Sequence, residues 1–392
     1  MDMGKEGGKM TGGFVNRRGI VMAAAAFLLS GCAIIPRGAD VPIGNAPEPT
    51  PTPTDTTVAQ DAFHRVALLV PLSGQNGDVG QSLANATTMA LLDTEATNLR
   101  ITTYDTATGA RDAARRALSD GNGLILGPLL GSNVAAVRAE TAPTSVPVIT
   151  FSNDTGAAGP GVFVMGHIPE QSIARSVEYV RESGGRTFAI LAPDGEYGDR
   201  AETALRSALD RFGGTLTARE RYARTNTSVV SSAQRLGQRG GFDTLVIADG
   251  ASGSIRAANA LGSDRLRIVG TDRWSGDRDV LAATSLRGAV YAAVSDGRYG
   301  GFVRSYSDRF GGQPYRVSTL GYDAVLLSLR AARDWSFGLP FPTQALYDSA
   351  GFDGVDGPFR FQRNGVALRA LEVRRVGDGT MTVVSAAPDG GL

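Results

Sequence analysis

From Arg65 onward the chain alternates between two hydrophobic rhythms. Residues 66–70 form an unbroken apolar run ended by Pro71, the pattern of a parallel strand buried on both faces. Residues 79–97 follow with Leu83, Ala86, Ala90, Leu91 and Ala96 at helical spacing. The alternation then predicts strands over 99–104, 123–126, 146–151, 187–192, 244–248 and 266–270. Helices are expected over 110–119, 133–141, 172–182, 199–212, 229–239 and 254–261. Strands that alternate with helices argue for βαβ units, parallel sheets and right-handed crossovers. After Thr271 the rhythm weakens to a strand over 287–294 and helices over 301–310 and 317–333. A terminal hairpin is expected over 366–385, turning at Gly377, Asp378 and Gly379.

A body of about 330 residues is large for one core. The strand series restarts near Thr187, after a Gly-rich stretch at 156–166. The expected fold class is therefore α/β, with two Rossmann-like lobes.

Before residue 63 the pattern is of another kind. Arg17 and Arg18 precede an apolar run from Gly19 to Leu29, which leads into Leu29, Ser30, Gly31 and Cys32. A positive start, an apolar middle and small residues at the cut describe a secretion signal. The run is about half the ~20 residues that a membrane-spanning helix requires. A cysteine after Leu-Ser-Gly resembles the lipobox of bacterial lipoproteins, which implies cleavage before Cys32 and acylation there. Residues 1–31 are thus expected to be a signal peptide, and 32–62 a lipidated cysteine with a linker. The linker carries Pro36, Pro42, Pro47, Pro49, Pro51 and Pro53 with interleaved threonines, a composition that favours extended polyproline structure. At about 3.1 Å per residue its 28 or so residues reach at most roughly 85 Å.

Composition narrows the chemistry. The segment 1–31 holds both lysines, Lys5 and Lys9, so every basic residue after it is arginine. Removing Lys5, Lys9, Arg17, Arg18, Asp2 and Glu6 leaves a net charge of about −2. No basic block of the kind that binds nucleic acid is present. Without lysine there is no P-loop lysine, Schiff base or Ser-x-x-Lys pair. With Cys32 acylated no free thiol remains for a disulfide or a sulfur-ligated metal. His64 and His167 stand outside any metal-ligand spacing, and no Gly-x-Ser-x-Gly elbow supports a catalytic triad. No catalytic residue, cofactor or metal is expected. Both histidines are expected at the surface or at a crossover.

In an open α/β sheet, ligands bind beyond the carboxyl ends of the strands. Those positions carry Ser73, Ser132, then Ser152, Asn153, Asp154 and Thr155, then Tyr197, Asp249 and Asp272. Ser132, Ser152 and Asn153 suit an α-carboxylate, Tyr197 an apolar cover, and Asp249 or Asp272 an ammonium. Taken singly, each has a strong structural reading, because Ser and Asp after a strand are preferred helix caps and Asp-Gly is a common turn; the site is suggested by their alignment.

The strings VALLVPLSG (66–74), LILGPLL (124–130), VPVITFSND (146–154), Tyr197-Gly198 and GYDAV (321–325) resemble the leucine-binding type of periplasmic binding protein (type 1 fold), over roughly 63–386. The resemblance implies two lobes joined by three crossovers, with a cleft that closes by a hinge. The lobes would be 63–166 plus 286–345 and 167–285 plus 346–386, with a tail at 387–392. It adds Tyr322 to the candidate ligand residues. Transport members present an amino-acid-like ligand to an inner-membrane permease. A second branch, the penicillin-binding protein activators, comprises outer-membrane lipoproteins that stimulate a peptidoglycan synthase. The strings FSND and LGPLL, with GFDGVDG (351–357), resemble that branch more closely. Those activators carry a helical-repeat domain where this chain has the Pro/Thr linker. Ala33 after Cys32 is permissive for the outer membrane. The resemblance therefore implies a non-enzymatic, lipid-anchored periplasmic protein whose partner is a penicillin-binding protein or, alternatively, a permease.

Overall fold

The computed structural model describes residues 63–225, 227–261 and 266–388. The signal, Cys32, the linker and the last residues of the tail lie outside the described residues.

Two sheets, one parallel and one mixed, organise the body. The first is built from β1 (His64–Val70), β2 (Leu99–Asp105), β3 (Leu124–Leu126), β4 (Val148–Thr150) and β5 (Val162–Val164) in the order β2-β1-β3-β4-β5. Helices α1 (Gly77–Asp93), α2 (Ala110–Ser119) and α3 (Gly131–Thr141) connect its strands. The chain then enters α4 (Pro169–Glu182), whose first residue is a proline with no amide to lose. The second sheet begins with β6 (Thr187–Pro193), α5 (Glu196–Phe212), β7 (Thr215–Tyr222), α6 (Ser228–Arg239), β8 (Thr244–Ile247), α7 (Ala251–Leu261), β9 (Arg267–Val269), the short α8 (Arg278–Ala282) and β10 (Val290–Ala293). After β10 come α9 (Tyr299–Phe310) and α10 (Thr319–Ala331), then β11 (Phe352–Gly354), β12 (Gly357–Phe361), β13 (Ala367–Arg369), β14 (Glu372–Val376) and β15 (Met381–Ser385). The second sheet runs β15-β14-β10-β9-β8-β6-β7, with β14 and β15 antiparallel. A third, three-stranded sheet joins β11, β12 and β13.

The apolar runs are buried because each sheet is covered on both faces. Val66, Leu68 and Val70 point into one core with Leu83, Leu320, Val325 and Phe359, while Ala67 and Leu69 point into the opposite core with Ala113, Ala114 and Val137. The second sheet divides in the same way, with Phe188, Ile190 and Ala192 on one side and Ala189 and Leu191 on the other.

The chain passes between the sheets at residues 165–168, 294–298 and 370–371. Two of these passes lie away from the expected lobe boundaries. Strand β10 hydrogen-bonds to β9 and β14 and so joins the second sheet, although 286 onward was expected in the first lobe. Conversely, Phe352, Phe359, Phe361 and Ala367 bury themselves in the core of the first sheet, where α9 and α10 also pack. The physical reason is the break at Ala370 and Leu371: the expected long strand over 366–376 is two strands, β13 and β14, in different sheets. The hairpin of β14 and β15 does form around Gly377 to Gly379. Four strands escape the hydrophobic pattern: β5, β7 and the short pair β11 and β12. Edge strand β7 is mostly polar, and β5 is a three-residue strand inside the Gly-rich stretch.

Leu68 has no exposure and sits on the interior strand β1, paired on both sides by β2 and β3. Leu68→Ala is expected to lower unfolding stability by about 2–5 kcal/mol, measured by urea denaturation.

Candidate functional site

The carboxyl ends of the first sheet bring some of the expected residues together. Gly131 opens α3 so close to β4 that a Cβ there would stand 2.9 Å from Ser152 Oγ and 3.5 Å from Asp154 Oδ2. Ser132 is beside it and exposed. Ser152 Oγ accepts from the Asp154 amide at 3.0 Å, and Asp154 accepts from the Gly156 amide at 2.9 Å. Asp154 thereby caps the short turn that Thr155 begins, which is the structural role open to it from sequence. Ser73 stands apart, its hydroxyl 3.4 Å from Asp105 Oδ2.

A second group gathers on the other sheet. The Tyr197 hydroxyl lies 3.1 Å from Thr271 Oγ1, and its ring is flanked by the guanidinium groups of Arg224 and Arg273 at 5.5 and 5.2 Å. Burial raises the phenol's pKa well above its usual value. Asp249 is fully engaged within its own sheet. It accepts from the Tyr222 hydroxyl, from Arg224 at 2.8 Å and from the Gly250 amide at 2.9 Å. Asp272 differs: its amide donates to Ser172 Oγ at 2.9 Å, but its Oδ1 is buried without a partner. Burial pushes its carboxyl up to about 6. Tyr322 is not in this region. It donates to Asp93 at the end of α1 and packs edge-on against Phe302.

The two sheets are joined by the Arg200 bridge, by Gln171 on α4, which donates to the Ala367 carbonyl at 2.8 Å and accepts the Arg369 amide at 3.1 Å, and by an ionic hinge. Arg200 on α5 holds Glu170 at 2.7 and 2.9 Å and also donates to the Asn153 carbonyl at 2.7 Å, tying the second sheet to the loop after β4. At the hinge, Asp356 is fully buried. Its carboxylate receives Thr319 Oγ1 at 2.8 Å, His167 Nε2 lies 2.7 Å away, and Arg316 pairs with it. Arg316 and His167 hold the Asp356 carboxyl well below its usual range against the opposing effect of burial. Burial in turn depresses His167. Asp323 accepts the Val355 amide at 2.6 Å and the Asp356 amide at 3.3 Å. Burial, with the neighbouring Asp356 charge, pushes Asp323 up to about 7. The glycine at 354 is required here, because a Cβ would stand 2.3 to 2.5 Å from the Asp323 carboxyl. Arg374 adds a further tie to Glu372, Asp296 and the Val294 carbonyl.

Between the crossovers lies a cavity of about 30 Å³, lined by His167, Ser172, Asp272, Ser275, Arg316 and Arg369 among others. Of these, only Asp272 belonged to the expected site. The sequence signal for the rest was weak: the GFDGVDG string held Asp356, but buried arginines do not stand out in a body whose basic residues are all arginine. His64 is also not at the surface. It is buried, stacked against Trp335 at 4.1 Å and Phe337 at 4.5 Å. Among the described residues no cluster of His, Cys, Asp or Glu could hold a metal ion, and no helix is long and apolar enough to cross a membrane.

A family model described as periplasmic binding protein matches residues 64–380. Among curated proteins, an uncharacterized protein of Rickettsia prowazekii, RP748, is 24% identical over 43% of this chain and 46% of its own length. Penicillin-binding protein activator LpoA of Serratia proteamaculans is 29% identical over 31% of this chain and 18% of its own length. The chain thus spans less than half the length of these relatives. Among solved structures, the leucine binding protein LivK of Thermotoga maritima superposes with a TM-score of 0.65 at 18% identity, over 83% of this chain and 99% of that one. At that identity the likeness is one of fold.

Two substitutions test the hinge. Gly354→Ala is expected to cost about 1–3 kcal/mol, whereas Gly312→Ala, with open space around it, stays within about 0.5 kcal/mol of wild type; urea denaturation reads both. Asp272 is raised from 3.8 to about 6 on folding. Its contribution to stability is therefore complete below about pH 3.8 and lost as pH rises to about 6. Asp272→Asn is expected to gain on wild type across that window, by the order of 2 kcal/mol above pH 7. Melting curves from pH 4 to 8 that stay parallel would contradict this.

Proposed function

The chain belongs to the periplasmic binding protein family, and from that footing we propose that it is a non-enzymatic periplasmic lipoprotein that activates a peptidoglycan synthase. Cys32 would carry the lipid that anchors it to the outer membrane, and the Pro/Thr linker would give the body its reach toward a penicillin-binding protein. The observation that carries this reading is the small size of the cavity at the crossovers. Ligand pockets of small-molecule receptors measure roughly 300–1,000 Å³, whereas the cavity at the crossovers is about 30 Å³ and is walled by the chain's own Arg316, Arg369 and Asp272. A body closed on its own charges is suited to present a surface rather than to carry a solute. The curated relatives named as penicillin-binding protein activators support the choice of partner.

The alternative is the substrate-binding protein of an amino-acid-type transporter, working with an inner-membrane permease. The solved structures of similar fold include such proteins, and Ser132, Ser152, Asn153, Asp154, Thr155 and Tyr197 would then form the ligand site. It requires the Arg200 bridge to Asn153 to open and admit the ligand.

The two readings separate experimentally. Full-length protein used as bait in an envelope extract is expected to recover a penicillin-binding protein and to raise that enzyme's rate of glycan synthesis. Its melting temperature is expected to be indifferent to a panel of amino acids and small amides. Failure to retain any synthase, together with an amino-acid-dependent rise in melting temperature, would replace the first reading by the second. Cys32→Ser is expected to move the protein from the membrane fraction to the soluble periplasm; a variant that stays with the membrane refutes the anchor.

A further inference from the structure

The cavity at the crossovers is polar in an unbalanced way. The buried side-chain atoms around it that lack a hydrogen-bond partner are Arg316 Nε and Nη2, Arg369 Nε and Nη1, Ser275 Oγ and Asp272 Oδ1. Four of the six are guanidinium nitrogens. Arg369 is 4% exposed. Its Nη2 donates to the Met165 carbonyl at 2.7 Å, and its guanidinium carbon lies 4.9 Å from the centre of the Phe359 ring. Among the described residues no carboxylate forms an ion pair with it. The carboxylates nearby are committed elsewhere: Asp356 to Arg316, and Glu372 and Asp296 to Arg374. Asp296 also lies 3.6 Å from Arg316 Nη2, beyond hydrogen-bond range. Asp323, close enough to influence Arg369, spends both oxygens on backbone amides.

A buried guanidinium without a counter-charge carries a heavy desolvation cost. Water in the cavity would satisfy N–H groups but add no negative charge to the Asp356 and Asp323 carboxylates that act on Arg369 without pairing with it. A volume of about 30 Å³ has room for a particle about the size of a water molecule. We infer that this cavity is a binding site for a single chloride-sized monovalent anion, held by the free N–H groups of Arg316 and Arg369 and the hydroxyl of Ser275. The lining includes His167 and Ile168 from the first crossover, Val294 from the second and Leu371 from the third. The bound anion thus sits where the three crossovers converge and favours the closed arrangement of the hinge.

The ionisable groups facing the cavity are His167, Asp272, Arg316 and Arg369, with Asp323 and Asp356 packed behind them. The arginines stay charged at every relevant pH, and burial lowers His167 from its ordinary value against the pull of Asp356. Asp272 opposes an anion when ionised, and its carboxyl titrates at about 6, so the anion binds more tightly below that pH than above it.

The test uses the full chain. Sodium chloride or bromide is titrated against sodium gluconate at constant ionic strength, at pH 5.5 and pH 8, and melting temperature is followed. The expected result is a saturable rise of about 3 °C at pH 5.5, a smaller rise at pH 8, and none in Arg369→Gln. Because that variant removes a buried charge on which folding depends, crystals of the wild-type protein grown in bromide provide the second measurement. An anomalous peak between Arg316 and Arg369 is expected. A wild type indifferent to halide, an equal rise in Arg369→Gln, or bromide found only on the surface overturns the inference. So does a rise produced by glycine but not by halide.

Discussion

The Asp356 carboxylate is the contact on which the rest of this structure depends. It has no exposure, yet it is held ionised by Arg316, His167 and Thr319. Removing a charge of that kind from water costs several kcal/mol, and only close, well-directed partners offset it. The partners come from separate stretches of chain. His167 lies on the first crossover, while Arg316 and Thr319 lie at the entry to α10. The carboxylate can be satisfied only when both stretches are in place, so it couples the path between the sheets to the packing of the first sheet's helices. Arg374, joined to Asp296 and the Val294 carbonyl, does the same for the second and third crossovers.

This arrangement gives the space between the lobes a character unlike that of an open receptor cleft. The residues expected to hold a ligand are divided. Ser152 and Asp154 close a local turn, Asp249 is consumed by Tyr222 and Arg224, and Tyr322 belongs to a helix contact elsewhere. Tyr197 and Asp272 remain near the meeting of the lobes. The Arg200 bridge and the hinge ions join the two sheets through the chain's own groups.

The legibility of the chain follows burial. Strands such as β1, β6 and β8 are covered on both faces and were plain as apolar runs, because a buried strand tolerates little else. Edge strand β7 was hidden, since its exposed side is free to carry threonine, arginine and glutamate. The lobe boundaries were misread where two short strands run on in sequence but part in space at Ala370 and Leu371. The strand-end residues were readable from position in a βαβ pattern, but position cannot tell a ligand contact from a cap. The hinge charges were the least legible. Arg316 and Arg369 have no local pattern, and what makes them special is a distant Asp356 and the burial that surrounds it.

The Arg200 bridge has a consequence for inheritance. Its partner in the other lobe is the carbonyl oxygen of Asn153, an atom that every amino acid possesses. Changes of side chain at 153 can therefore accumulate without breaking the link between lobes, while position 200 cannot drift in the same way. A record of natural variation would show one end of this contact and leave the other end blank.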